Sequence, residues 1–329
     1  MRRRDFTVLL VGVVAWPHPP PTQAQTARKM YRIGWLGPTS PTPEGGRLQD
    51  SFRQGMRDHG HVEGRDYVIE FRYAHGRPEQ VPDLAAELVR LPTDVIVAVT
   101  SHTAHAAKGA TTTIPILLIS PDPLSTGLVT NLARPGGNIT GVTMIPGPEI
   151  VGKYLQLITD TVQNASRVAM LWNETSPWQS GMIREAEAAA RALRLQLQAV
   201  AFRQAGDFET AFVTMETGQA DAVIVLPDGV TFVHRKRLAD LALKHRLPAL
   251  MTHLDAIRDG SLMAFATNLN DLFQRAANYV DRLMKGEKAG DLPVEQPTRY
   301  ILAINLKTAA ALGLAIPPAI LARADEVIE

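Results

Sequence analysis

Two short apolar runs do most to limit what this chain can fold into. Asp94 to Val99 and Ile114 to Ile119 are almost wholly apolar and rich in Val and Ile, the pattern of parallel strands covered on both faces. Each ends abruptly. Thr100, Ser101 and His102 follow the first run, and Ser120, Pro121, Asp122 and Pro123 follow the second. In open α/β sheets, ligands occupy the crevice beyond the carboxyl ends of the strands, so both ends mark one candidate site. Arg134-Pro135-Gly136-Gly137-Asn138 then suits a sharp redirection of the backbone. The strand-like Ile139 to Met144 leads from there into a second lobe.

The remainder of the chain has the same grammar. Tyr31 to Leu36 reads as a strand, and Glu44 to His59 as a helix with Leu48, Phe52 and Met56 on one face. In Tyr67 to Tyr73, Tyr67, Ile69, Phe71 and Tyr73 alternate with Glu70 and Arg72, which predicts a half-exposed strand near a sheet edge. The order restarts after residue 146, with strands at Arg167 to Trp172, Leu195 to Phe202 and Asp221 to Leu226 separated by helical segments. Two successive units of this kind predict an α/β protein of two lobes, each a doubly wound parallel sheet. Segments near 139–144, 262–267 and 298–304 are three candidate crossing strands. Lobe 1 then holds residues 31–144 plus 266–298, and lobe 2 holds 145–265 plus 299–329. A hinge of that kind permits rigid-body closure around a ligand.

A length of 329 residues suits one large or two ordinary α/β domains. The formal charge of +1 gives no electrostatic case for nucleic acid. The absence of cysteine excludes disulfides, thiolate metal sites and a Cys nucleophile. There is no dinucleotide fingerprint, no Walker A loop and no GxSxG. His102 and His105 share a helix face, but no third ligand is signalled nearby, so neither metal nor cofactor is expected. The N-terminus carries Arg2, Arg3 and Arg4, an apolar run from Phe6 to Trp16, and a breaker-rich Pro17 to Gln25. That is the grammar of a signal peptide spanning residues 1–24. Arg3-Arg4-Asp5-Phe6 also resembles a twin-arginine signal, leaving both export routes open. Cleavage after Ala24 would remove three Arg and one Asp, changing the formal charge from +1 to −1. A periplasmic location follows as an expectation.

Four segments carry a family likeness: ATTTIPI (110–116), NLARPGGNITGVT (131–143), LMKGEKAGDLPVEQPTRY (283–300) and NLKTAAALGLAIPPAILARADEVIE (305–329). Their collinear set resembles the ABC-transporter substrate-binding proteins of the group with tryptophan- and tyrosine-binding members. The resemblance covers essentially the whole chain after the signal. It implies a type I periplasmic-binding-protein fold, two lobes joined by three crossing strands, a small ligand between them and no catalytic chemistry. It also implies an ABC permease as partner and a monomer in solution. A periplasmic sensor that presents its closed form to a membrane receptor is the alternative. An α/β enzyme is a third reading, disfavoured by the absent motifs.

With the cleft at the strand ends, the first lobe offers Thr39, Ser40, Ser101, His102, Thr103 and Asp122 as ligand contacts. The second offers Asn173, Trp178 and Asp228. Hydroxyls and amides at helix N-termini suit a carboxylate, an acid such as Asp122 or Asp228 suits an ammonium, and an aromatic wall suits a flat side chain. Each has a plainer role open to it: Ser40 and Ser101 as caps, Asp122 and Asp228 as turn formers, Trp178 as packing. In the relatives, the second crossing strand carries a small polar residue, an aromatic and a Gly. Here Ala264-Phe265-Ala266 stands in that place, which removes a hydroxyl donor and leaves Phe265 to stack on a ligand.

Overall fold

The computed structural model describes residues 29–38, 40–176 and 178–329. The expected signal segment and the candidate Thr39 lie outside them. Strands β1 (Tyr31–Gly37), β2 (Tyr67–Tyr73), β3 (Val95–Val99), β4 (Ile116–Ser120) and β5 (Ile139–Thr143) form a first sheet. Its order is β2-β1-β3-β4-β5 and every pairing is parallel. The alternating strand β2 is indeed an edge strand. The second sheet comprises β6 (Arg167–Asn173), β7 (Gln196–Phe202), β8 (Ala222–Val225), β9 (Ala249–Met251), β10 (Met263–Ala266), β11 (Ile301–Asn305) and β12 (Glu326–Ile328). It runs β12-β11-β10-β9-β8-β6-β7, parallel except where β10 meets β11. The α/β architecture of two parallel-dominated sheets is therefore the one the apolar runs predict.

Each sheet is buried on both faces. Ile33, Trp35 and Val97 pack on one side of the first sheet, and Leu36, Ile96 and Leu118 on the other. The second sheet has the same division, with Met170 and Ile224 on one face and Leu171 and Val225 on the other. β11 starts at Ile301, later than the start of the candidate crossing segment near 298–304. Pro297 has no N–H to give to a ladder. The sequence pattern does not predict the short β12, because its three residues carry no alternation long enough to read.

The helix Leu269–Met284 ties the halves together. It follows β10 of the second sheet, yet Leu272, Phe273, Tyr279 and Val280 are buried in the first sheet's core beside Trp35 and Phe52. Burying a large apolar side chain stabilises by roughly 1.5–3 kcal/mol, so this face draws the helix back to the first sheet. It lies in backbone contact with the helix Pro43–Asp58: a Cβ on Gly55 would sit 2.6 Å from the Gln274 carbonyl oxygen and 2.7 Å from Ala277 Cβ. The chain thus passes between the sheets after β5, after β10 and before β11. The passes meet at the Met144 carbonyl, which accepts hydrogen bonds from Thr267 Oγ1 at 3.2 Å and Tyr300 Oη at 3.4 Å.

Candidate functional site

The carboxyl ends of the two sheets face one another across a cleft of about 1010 Å³, counted to its open mouth. Gly37 and Pro38 at the end of β1, Val99 and Thr100 at the end of β3, Pro121 after β4 and Met144 after β5 form one wall. Pro227, Asp228 and Gly229 after β8, and His253 after β9, form the other. Strand order reverses between β1 and β3 in the first sheet and between β6 and β8 in the second. At such switch points adjacent connections leave on opposite faces, and the gap between them takes ligands.

The cleft is lined mostly by apolar side chains held in place. Trp35 stacks on Phe273 at 5.9 Å and meets Phe52 edge-on at 5.4 Å. Tyr73 stacks on Phe71 at 5.8 Å, and its hydroxyl accepts from Gln49 Nε2 at 2.5 Å. Gly37, paired with Tyr73 across β1 and β2, leaves room for that ring, since a Cβ there would lie 2.8 Å from Tyr73 Cδ1. Phe232 stands between the Arg235 guanidinium, 5.2 Å from its ring centroid, and the edge of His253, also at 5.2 Å. Side chains fixed this way lose little freedom when a ligand arrives, which favours binding.

Asp228 supplies a carboxylate to this wall. Burial pushes its pKa above the ordinary carboxylate value, while hydrogen bonds from the Val230 amide and the Asn173 side chain pull it back in part. His253 is lowered to about 4, first by burial and then by the Arg235 charge, so its imidazole is neutral at physiological pH. No Arg or Lys is among the described residues lining this cleft. Thr100 stands at φ 107° and ψ 158° while capping the helix Ser101–Ala110. A β-branched residue in that region carries strain of roughly 1–3 kcal/mol, which folds retain mainly at binding and catalytic sites.

Of the residues expected at the strand ends, the structure places Ser40 and Asp228 in the cleft. Ser40 is exposed there and hydrogen-bonds with His75 Nδ1 at 3.0 Å. Ser101 and Ser120 share a hydrogen bond of 2.5 Å between their hydroxyls, beside the cleft rather than in its lining. His102 turns away, its Nε2 donating to the Pro78 carbonyl at 3.0 Å. Thr103 is buried and donates to the Thr100 carbonyl. Asp122 accepts from the amides of Leu124 and Ser125, ordering its own loop. Asn173 orders the turn after β6 and reaches the Asp228 carboxylate. Trp178 is packing, within the core that also holds Tyr154 and Met182. Phe265 is in that core as well, stacked on Tyr300 at 5.1 Å and edge-on to Tyr154. The strand-end pattern does not single out Trp35, Gln49, Tyr73, Thr100, Phe232 or His253, all of which line the cleft. Thr100 alone had a signal, as the first residue beyond an apolar run.

Residues 46–328 match the family model described as ABC transporter substrate binding protein. The chain belongs to that family. It is 22% identical over 289 residues to the tyrosine-binding protein of Clostridioides difficile strain R20291, covering 88% of this chain and 82% of that one. Among solved structures it is similar to the ABC domain from Streptococcus pneumoniae in complex with L-Trp: TM-score 0.84, 23% identity, 91% of this chain and 100% of that chain. A conserved domain protein from Vibrio cholerae gives the same four values. The two-sheet arrangement is the type I periplasmic-binding-protein fold. Among the described residues, no helix is long and apolar enough to cross a membrane, and no group of three or more His, Asp or Glu is placed to hold a metal ion.

Proposed function

We propose that this family member is the exported substrate-binding subunit of an ABC importer, taking up a small organic ligand with a flat apolar body and passing it to a membrane permease. The observation that carries this reading is the opposition of two sets of strand ends, one on each of two bodies linked by three chain passes. A ligand touching both walls favours the arrangement in which they approach, and only that difference in affinity can drive closure. Residues 31–144 plus 266–298 move as one lobe, and 145–265 plus 299–329 as the other. Trp35, Tyr73 and Phe232 supply aromatic surface for a ring, and Asp228 accepts a hydrogen bond from an N–H or O–H of the ligand. Ser40, Gln49, Thr100 and His253 complete the polar contacts.

The relatives support a ring-bearing amino acid as the ligand class: one is named for tyrosine and another is bound to tryptophan. The protein works as a periplasmic monomer and releases its ligand unchanged. The test is to purify the mature chain without denaturation, identify co-purifying small molecules by mass spectrometry, and titrate the aromatic amino acids by calorimetry. One saturable site of about micromolar affinity, worth roughly 8 kcal/mol, with a fall in radius of gyration on binding, is expected. No carried ligand, no heat and no compaction would defeat the proposal.

A further inference from the structure

A second chamber adjoins the cleft. Leu48, Phe232, His253 and Leu269 line both spaces, so the two share a wall. The second space, of about 760 Å³ to its mouth, is polar where the first is apolar: Arg47, Asp255, Arg258, Asn268, Asn270 and Glu326 line it. Arg47 belongs to the helix Pro43–Asp58, packed on the first sheet, and Asp255 to the turn Leu254–Ile257, packed against the second.

The two charges face each other loosely. Arg47 Nη2 is 3.5 Å from Asp255 Oδ2, with the side chains 57% and 44% exposed. A charge-assisted hydrogen bond is about 2.7–2.9 Å long, and exposed pairs contribute little to stability. A ligand bearing both a carboxylate and an ammonium can therefore replace each partner at little cost. Arg258 and Glu326 pair at 3.1 Å in the same chamber. Two Arg with one Asp and one Glu leave the chamber electrically balanced, which suits a dipolar group better than a net anion. The apolar chamber, with Asp228 as its carboxylate, repels one.

We infer that the ligand straddles both chambers, its ring in the apolar cleft and its dipolar ammonium–carboxylate head in the polar one, with Arg47 on the carboxylate and Asp255 on the ammonium. The inference rests on the substrate-binding reading above and assigns the orientation within that site. A head held this way bridges the lobes, so Arg47 and Asp255 set specificity for an amino-acid end.

The test is calorimetric titration of the mature chain and of Arg47→Gln, Asp255→Asn and Asp228→Asn with tryptophan, tryptamine and indole-3-propionic acid. Thermal melts check that each variant is folded. Arg47→Gln is expected to weaken tryptophan and indole-3-propionic acid by about 10–150-fold, the range for one charge-assisted hydrogen bond, and to leave tryptamine nearly unchanged. Asp255→Asn is expected to weaken tryptophan and tryptamine and spare the acid. Equal effects on all three probes, or none, would overturn the orientation, as would loss of amine selectivity in Asp228→Asn instead. A wild-type chain that binds none of the probes also overturns it, whereas the substrate-binding role stands or falls separately on the co-purified ligand.

Discussion

Replacing Asp228 by Asn separates the proposed binding role of this carboxylate from its structural one. The side chain caps the helix Gly229–Val233 by accepting from the Val230 amide at 2.8 Å. Asn is as good an N-cap as Asp, so the local fold survives the change. What the change removes is a charge that burial disfavours, since the folded-state pKa of Asp228 is raised above 3.8. A raised carboxylate pKa means the folded chain binds the proton more tightly than the unfolded chain. Stability is then lost as pH climbs from 3.8 through the raised value and stays lower above it. The Asn variant escapes that loss, so its ligand-free melting temperature at neutral pH equals or exceeds that of the wild type. The advantage disappears below about pH 4. Ligand affinity moves the other way. A hydrogen bond to a charged group contributes about 1.5–3 kcal/mol, so Kd rises roughly 10–150-fold. The wild type also loses affinity as acid protonates Asp228, and the variant has no such pH dependence. Calorimetry and thermal melts across this pH range measure both quantities. An unchanged Kd, or a variant less stable at neutral pH, would refute the reasoning.

Other substitutions probe the frame. Asp281 is 3% exposed and accepts from His61 Nε2 at 2.8 Å and Lys285 Nζ at 2.7 Å. Burial pushes its pKa up, but these hydrogen bonds and charges outweigh it, so the carboxyl titrates below its ordinary value. Its contribution is present above pH 3.8 and lost as pH falls through the lowered folded value. Asp281→Asn should cost about 1–3 kcal/mol at neutral pH, and urea titrations should show the gap from wild type closing in acid. Gly55→Leu forces the helices Pro43–Asp58 and Leu269–Met284 apart and should cost at least about 1–3 kcal/mol, read by the shift of the denaturation midpoint; no shift would mean the close approach at Gln274 is absent. Thr267→Val with Tyr300→Phe deletes both hydrogen bonds to the Met144 carbonyl, and small-angle scattering should find a larger ligand-free radius of gyration. An unaltered radius would show that these bonds do not set the angle between the lobes.

The strands were legible because a doubly covered parallel strand has few alternatives: a Val- and Ile-rich run bounded by turn residues, as at β3, β4 and β8, has nowhere to go but a sheet interior. The site was less so. Asp122 and Asp228 each follow an apolar strand, each stands beside Pro, and each accepts from the amide two residues on, at 3.2 and 2.8 Å. Nothing local separates them. What differs is the fate of the chain afterwards. The loop after Asp122 folds back, with the Leu128 and Val129 amides donating to the Pro123 carbonyl, whereas Pro227 to Gly229 stay at the cleft. The aromatic residues lining the cleft were hidden for a related reason. Trp35 lies within β1 and Tyr73 ends an edge strand, positions where a large ring usually serves the core. Here both lie near the carboxyl ends of the adjacent strands β1 and β2, which makes them part of the cleft lining. Phe265 shows the converse. It lies on the strand singled out by the resemblance, but β10 pairs antiparallel with β11, and its ring stacks on Tyr300, which immediately precedes β11. One face of this ring is taken by Tyr300, and Tyr154 meets it edge-on. In the proposed function, selectivity falls to Phe232, Tyr73 and the charges around them, which no single-strand motif contains.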